Sequence, residues 1–411
     1  MTVGREPIGQ RSGTVRRANL SAIVNELHRD GPLTRSSLVM RTGLTRGAIR
    51  GLIGELAAAR LVSEERSASL GAPGRPSPVV RPRGDRAVVL ALEIAVDSIG
   101  AAIVGLGGVV VGRVRVDRRR GHLEPASIVS DLRRLAAPLL DRLPADHLLV
   151  GIGVAVVGVT RGPDGTVRTA PNLGWRDVPL ADMVERGLGR RAPVVVMNEA
   201  DLGALAEHRR GVARDHENVL YISGEVGVGG GIIVDGRPLR GADGYAGEVG
   251  HMPVNPNGAR CRCGSTGCWE TEIGERAILR RAALPGSGGR RAVDRVVRAA
   301  ADGDPAAVAA LAATGRWLGL GLAGLVNVLN PRLIVLGGLF GRIHPYVAEE
   351  IDRALRSRSL APPVERLSVV PSALGVDAPL LGAAEHAFQP LLDDPAGWVT
   401  SDSRELQLAS A

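Results

Sequence analysis

Leu20, Ile23, Val24 and Leu27 follow the i, i+3, i+4, i+7 spacing of one helix face, which predicts an amphipathic helix from Arg16 to near Gly31. Thr34 is a good N-cap for a second helix reaching Arg41, Gly43 supplies a tight turn, and Thr45 caps a third helix buried through Ile49, Leu52, Ile53 and Leu56. After Leu61 and Val62 the helical stripe stops. The run ERSASLGAPGRPSPVVRPRG that follows can form two short strands and the turn of a wing. Beyond residue 86 the period changes again. Residues 88–94, 99–104 and 109–116 read as a three-stranded meander, followed by a helix over about 125–143 and a buried strand at 148–156. Further strands are expected at 194–197, 219–222, 230–234 and 333–336, the last after a long helix over 305–329. Strands alternating with helices in this way predict an α/β architecture behind a small helical domain.

Charge sharpens that division. The 411 residues are enough for two or three domains, and with only 2% aromatic residues their cores must be built from Ala, Val, Leu and Ile. The formal charge is +8, every basic residue is arginine, and residues 1–86 hold 15 Arg against 7 acids while the remainder is balanced at 36 of each. An excess confined to one end points to a polyanion, most often nucleic acid. A disordered basic tail is the plainer alternative, and the helical periodicity of the segment counts against it. Helix, glycine turn, helix is the helix-turn-helix pattern, whose second member enters the major groove by its N-terminal residues. Those residues are Thr45, Arg46, Gly47 and Arg50, with Arg35 at the start of the preceding helix. Arg46 and Arg50 can fork onto the O6 and N7 of guanine. Arg75, within the GRP of the wing, suits a minor groove, although a proline-rich linker would read the same way. No apolar signal-peptide core follows the first charges. The most apolar region, 88–112, is broken by Glu93, Asp97 and glycines, so no membrane span is expected. An odd number of thiols with no secretion signal favours a reduced, cytoplasmic protein.

All three cysteines fall in one stretch, GEVGHMPVNPNGARCRCGSTGCWE, at Cys261, Cys263 and Cys268, with His251 ten residues before the first. Three thiolates and an imidazole complete a tetrahedral zinc set with no position left for water, so the predicted metal is structural zinc. Its job would be to pin a loop that Glu248 and Glu270 bracket. Such a loop is suited to gripping a polyol.

The body has strand-meander, helix, strand, helix twice over, the layout of the two-lobed actin-like ATPase and sugar-kinase fold. With the zinc stretch it resembles the ROK family of repressors, open reading frames and sugar kinases. A winged helix in front makes it similar to the repressor branch. The likeness rests on GEVGH with CRCGSTGCWE, on GIGVAVVG from Gly151, PNLGW from Pro171, NEADLGALAE from Asn198, and LIVLGG before Leu339. It implies a winged helix over 1–80 with a linker to about 86, a small lobe over 87–197, a large lobe with the zinc loop and a C-terminal return helix over 198–392, and a polar, frayed tail over 393–411. It also implies zinc at His251, Cys261, Cys263 and Cys268. Sugar hydroxyls would meet Asn172, Asn198, Glu199, Glu248, His251 and Glu270, with backbone near Gly158 at the cleft floor. Carboxylates and amides satisfy hydroxyls in both directions. Turn formation is the plainer reading of Asn172 and Asn198, and a solvated surface that of Glu248 and Glu270.

A kinase of this family needs an Asp-x-Gly-x-Thr phosphate loop, an aspartate base after asparagine, and a second GTG loop. The corresponding residues here are Glu93, Ala95 and Asp97, then Glu199, then Glu225. A carboxylate at Asp97 or Glu225 would repel phosphate, and the extra methylene of Glu199 displaces the base by about 1 Å, enough to cost roughly a hundredfold in rate. The expectation is a non-catalytic sugar sensor: a cytoplasmic regulator, most simply a repressor, that binds operator DNA and a sugar effector and assembles as a homodimer or homotetramer away from any membrane. The rivals are an ATP-dependent sugar kinase carrying a DNA-binding head, and a constitutive DNA-binding protein with a vestigial body.

Overall fold

The computed structural model describes residues 12–65, 77–121, 123–162, 164–189, 192–285 and 289–399. The N-terminal head comprises α1 (Ser12–Asp30), β1 (Leu33–Thr34), α2 (Arg35–Thr42), α3 (Arg46–Ala58), β2 (Val62–Glu65) and β3 (Val79–Pro82). Local chemistry sets these boundaries. Thr34 Oγ1 accepts the Ser37 amide at 3.0 Å, Thr45 Oγ1 accepts that of Ala48 at 3.2 Å, and Gly43 ends α2 at φ +70°. The predicted stripes, Leu20 to Leu27 and Ile49 to Leu56, close into one core. Strand β3 lies between β1 and β2, antiparallel to both. The GRP segment with Arg75 lies outside the described residues.

The small lobe is built on β4 (Ala87–Ile94), β5 (Ser98–Gly105), β6 (Val109–Asp117), α4 (Pro125–Leu140), β7 (Leu148–Val156), β8 (Val159–Arg161), β9 (Thr166–Ala170), β10 (Trp175–Val178), α5 (Leu180–Leu188) and β11 (Val194–Asn198). Its main sheet runs β11-β7-β4-β5-β6, and β8 to β10 form a separate three-stranded sheet. Helix α4 stops at Leu140, short of the expected 143, because Pro144 disfavours a helical residue before it and the chain turns at Leu143. The small sheet of β8 to β10 was not expected, since its strands are short and carry polar residues.

The large lobe continues through α6 (Glu199–Arg210), β12 (Val219–Gly224), β13 (Val228–Val234), β14 (Arg237–Pro238), α7 (Trp269–Ile273), α8 (Glu275–Arg281), α9 (Gly289–Ala301), α10 (Pro305–Leu329), β15 (Leu333–Gly337), α11 (Gly338–Arg358), α12 (Ala361–Val364) and β16 (Ser368–Pro371). Its sheet is ordered β14-β13-β12-β15-β16. Among the described residues α10 is long and apolar enough to cross a bilayer, yet over half of its most apolar 18 residues are buried within the protein. Gly319 and Gly321 allow this: a Cβ at either would lie within 2.5 Å of Ala354 on α11 or 2.1 Å of Trp269 on α7.

The chain then returns through α13 (Ala378–Ala387) and α14 (Gln389–Asp393). Helix α13 is wedged between the small-lobe sheet and α6. A Cβ on Gly153 of β7 would meet the Ala383 carbonyl at 2.0 Å, and one on Gly382 would meet that of Leu202 on α6 at 1.9 Å. Residues 395–399 form another helical turn, with Ala396 buried and Trp398 and Val399 packed on the core that the head shares with the small lobe. The expected frayed tail therefore does not begin at 393. Apolar contact with that shared core holds the chain to at least residue 399.

Candidate functional site

The loop between β14 and α7 brings His251, Cys261, Cys263 and Cys268 together, with one donor atom from each lying within 4.8 Å of the others. Cys263 Sγ is 3.6 Å from Cys268 Sγ, and His251 Nδ1 is 3.7 Å from Cys261 Sγ. A tetrahedral ion with sulfur bonds of about 2.3 Å would hold its sulfurs about 3.8 Å apart, so the donor set and its spacing fit such an ion. Backbone bonds shape the loop independently. The Cys261 amide donates to Ser265 O at 2.8 Å and that of Trp269 to Met252 O at 2.8 Å. Gly267, at φ +69°, passes so near Asn255 that a Cβ would sit 1.6 Å from its carbonyl oxygen. Beneath the loop, Asn255 donates to Glu272 of α7 at 2.8 Å. His251 turns Nδ1 toward the sulfurs and Nε2 toward Glu248, whose carboxylate is 4.0 Å away. A carboxylate facing the second ring nitrogen is the usual way to orient a ligating imidazole.

The same loop forms one wall of the cleft between the lobes, a cavity open to solvent. All seven residues expected at a sugar line this cavity: Gly158, Asn172, Asn198, Glu199, Glu248, His251 and Glu270. Gly158 stands at φ +105°, and a Cβ there would lie 2.4 Å from Thr169 O. Asn198 caps α6, its Oδ1 accepting the Ala200 amide at 2.7 Å while Nδ2 donates to Gly158 O at 2.8 Å. Capping and ligand contact are therefore not exclusive here, since one Nδ2 hydrogen stays available. Burial, with Glu225, Glu93 and Asp97 nearby, pushes Glu199 up to about 8, so it is a protonated donor at neutral pH. Burial also raises Glu248, opposed by His251 and reinforced by Glu270. Two arginines that the sequence reading missed also line the cleft, Arg115 and Arg262. Arg262 donates to Asn172 Oδ1. Its position between two of the clustered cysteines is the signal that could have revealed it.

The ROK family model matches residues 89–389. The chain belongs to the ROK family. Its relatives include xylose repressors and glucokinases. It is 29% identical over 383 residues to the xylose repressor of Bacillus subtilis, covering 92% of this chain and 97% of that protein. It is 34% identical over 261 residues to the glucokinase of Streptomyces coelicolor, covering 59% of this chain and 82% of that one. Among solved structures it resembles a ROK family transcriptional regulator, a homolog of the E. coli MLC protein, with a TM-score of 0.76 and 27% identity over 94% of this chain and 98% of that one. It also resembles a ROK family glucokinase from Streptomyces griseus in complex with glucose and AMPPNP, with a TM-score of 0.65 and 30% identity over 74% and 99%. The fold is thus the ROK form of the actin-like sugar-kinase fold behind an N-terminal helical head.

In this ROK chain the far side of the cleft is crowded with paired charges. Glu93, buried on β4, accepts from Arg115 of β6 at 2.6 Å, and Arg115 also donates to Val376 O of the large lobe at 2.9 Å. Asp97, in the turn after β4, accepts from Arg120 at 3.0 Å, and Arg120 reaches across to buried Glu275 of α8 at 2.7 Å. Arg113 pairs with Asp377, adding a further link between lobes. Ala95 and Glu225 complete this wall. On the head, Thr45, Arg46, Gly47 and Arg50 are all exposed at the start of α3, with Arg46 and Arg50 one turn apart on one face. Arg35 differs from its expected neighbours, because its guanidinium is held by Glu64 of β2.

Proposed function

We propose that this ROK chain is a sugar-responsive DNA-binding transcriptional repressor whose body binds the sugar without phosphorylating it. The observation that carries the reading is the union, in one chain aligned almost end to end with a xylose repressor, of a helix-turn-helix head and an open cleft lined by carboxylates and amides. Residues 1–86 are the DNA-reading unit, with Arg46 and Arg50 contacting bases and Thr45 and Gly47 at the backbone. Gly158, Asn172, Asn198, Glu199, Glu248, His251 and Glu270 hold the sugar. Its acids disfavour a phosphorylated ligand and favour a neutral aldose, and the repressor relatives make xylose the first to test.

Loss of turnover is supported by the charge pairs on the far side. Arginines tie Glu93 and Asp97 to neighbouring groups where a kinase would present amides to phosphate. Glu199, protonated at neutral pH, is a poor base for a sugar hydroxyl. The metal is zinc, held by His251, Cys261, Cys263 and Cys268. Bound there it supplies a closed tetrahedral anchor and no chemistry toward the sugar. The protein is cytoplasmic and a homodimer, so that two heads read a pseudo-palindrome. The glucokinase relatives favour a second reading, a kinase carrying a DNA-binding head. ADP release from magnesium ATP with xylose or glucose separates the two: sustained turnover would replace the first reading with the second.

A further inference from the structure

Helices α6 and α13 share a polarity that links the cleft to the head. Both begin at the cleft, α6 at the cap Asn198 and at Glu199, and α13 beside Pro379. Both end against α1 of the head. Arg210, the last residue of α6, donates through Nε to Glu385 Oε1 of α13 at 2.7 Å and through Nη1 to the His28 carbonyl at 2.7 Å. His28, in the last turn of α1, is itself buried. Its Nδ1 accepts the Gly107 amide at 3.0 Å, which leaves the ring proton on Nε2, 3.0 Å from Glu385 Oε2. One buried polar cluster, His28, Glu385 and Arg210, thus ties the end of α1 to the ends of α6 and α13, beside the apolar core that the head and body share. The Arg210 guanidinium also faces the negative end of α1.

The close packing along these helices makes them suited to move as a unit. Gly382 of α13 lets the Leu202 carbonyl of α6 approach closely. Gly231 of β13 does the same for the Ala200 carbonyl, where a Cβ would lie at 2.4 Å. Twelve helical residues span about 18 Å, so a shift imposed on Asn198 or Glu199 by a ligand reaches Arg210 with little room to be absorbed. The joint has a spare valence. Arg210 Nη2 is buried without a hydrogen-bond partner among the described residues, so a second arrangement can gain a bond that this one lacks.

We propose that α6 and α13 carry the effector signal and that His28, Arg210 and Glu385 are the positioning residues through which it sets the orientation of the DNA-binding head. This rests on the reading of the chain as a sugar-responsive repressor. The test uses the full-length protein, xylose as probe, and DNA selected by the protein from a random pool. Three quantities are measured for wild type, Glu385→Gln and Arg210→Gln: xylose affinity by calorimetry, DNA affinity without sugar, and the ratio of DNA affinities with and without saturating xylose. The variants should keep xylose affinity within about threefold of wild type while the ratio falls from about fivefold or more to within about twofold of one. Variants that melt cooperatively yet keep the wild-type ratio would overturn the proposal. Should the variants fail to fold, hydrogen exchange in the wild type decides: xylose should alter exchange of the amides of residues 24–30, and unchanged exchange with xylose bound would overturn the proposal. A wild type whose DNA affinity ignores every sugar it binds would remove the underlying reading as well, an outcome distinct from a responsive wild type with responsive variants.

Discussion

The two sides of the cleft treat similar side chains in opposite ways. On the side of the metal loop, Glu248 and His251 are each more than a third exposed, facing the opening with polar atoms left for a ligand. On the far side Glu93 is almost wholly buried and held by Arg115, and Arg120 ties Asp97 to Glu275, which is itself almost wholly buried at the start of α8. Burying a carboxylate is costly unless it is paired, so on the function proposed above the far side is structural while the near side is available for binding. A chain can lose one ligand of a two-substrate site in this way and keep the other.

The largest effect expected from breaking this contrast is on the metal side. Cys268→Ser removes a fully buried donor, and the protein should lose its zinc, its loop order and its sugar binding together, as read by metal analysis and calorimetry. On the far side, Arg120→Met strands buried Glu275 and should cost about 3–5 kcal/mol in denaturant unfolding while sugar affinity stays within about threefold. A parallel loss of sugar affinity would mean the two sides are not separable. Glu270→Gln should weaken the sugar by about 1.5–3 kcal/mol, the scale of a charged hydrogen bond, and leave zinc content intact. Zinc loss in that variant would merge two roles held apart here.

A pH dependence is expected as well. Glu199 titrates at about 8 in the folded chain against an ordinary 4.5, so between these values the folded state keeps a proton that the unfolded chain has released. Its contribution to stability is therefore complete below about 4.5, declines as pH rises, and levels off above about 8. Glu199→Gln should flatten that decline in urea midpoints measured from pH 5 to 9. An unchanged slope would place the titration elsewhere.

What was legible in the sequence was what local chemistry determines. Thr34, Gly43 and Thr45 set the helix ends of the head, and the metal set was readable because its spacing is short. The seven cleft residues came from a family resemblance, and the fold does bring them to one cavity. The rest depends on contacts far apart in the chain. His28 meets Glu385 across 357 positions, and Arg120 meets Glu275 across 155. No period or motif marks such pairs. The fate of residues 395–399 was hidden for the same reason, since the core on which Trp398 packs is assembled from the head, the small lobe and α13.

The central claim is that sugar in the near side of the cleft changes DNA binding without turnover. Its most direct test is the affinity of the full-length protein for its selected DNA site, by fluorescence anisotropy, titrated with xylose in the presence of magnesium ATP while ADP is monitored. The account predicts that DNA affinity weakens by about fivefold or more as xylose saturates, with no ADP released. Unchanged DNA affinity with xylose demonstrably bound, or steady ADP production, would contradict it.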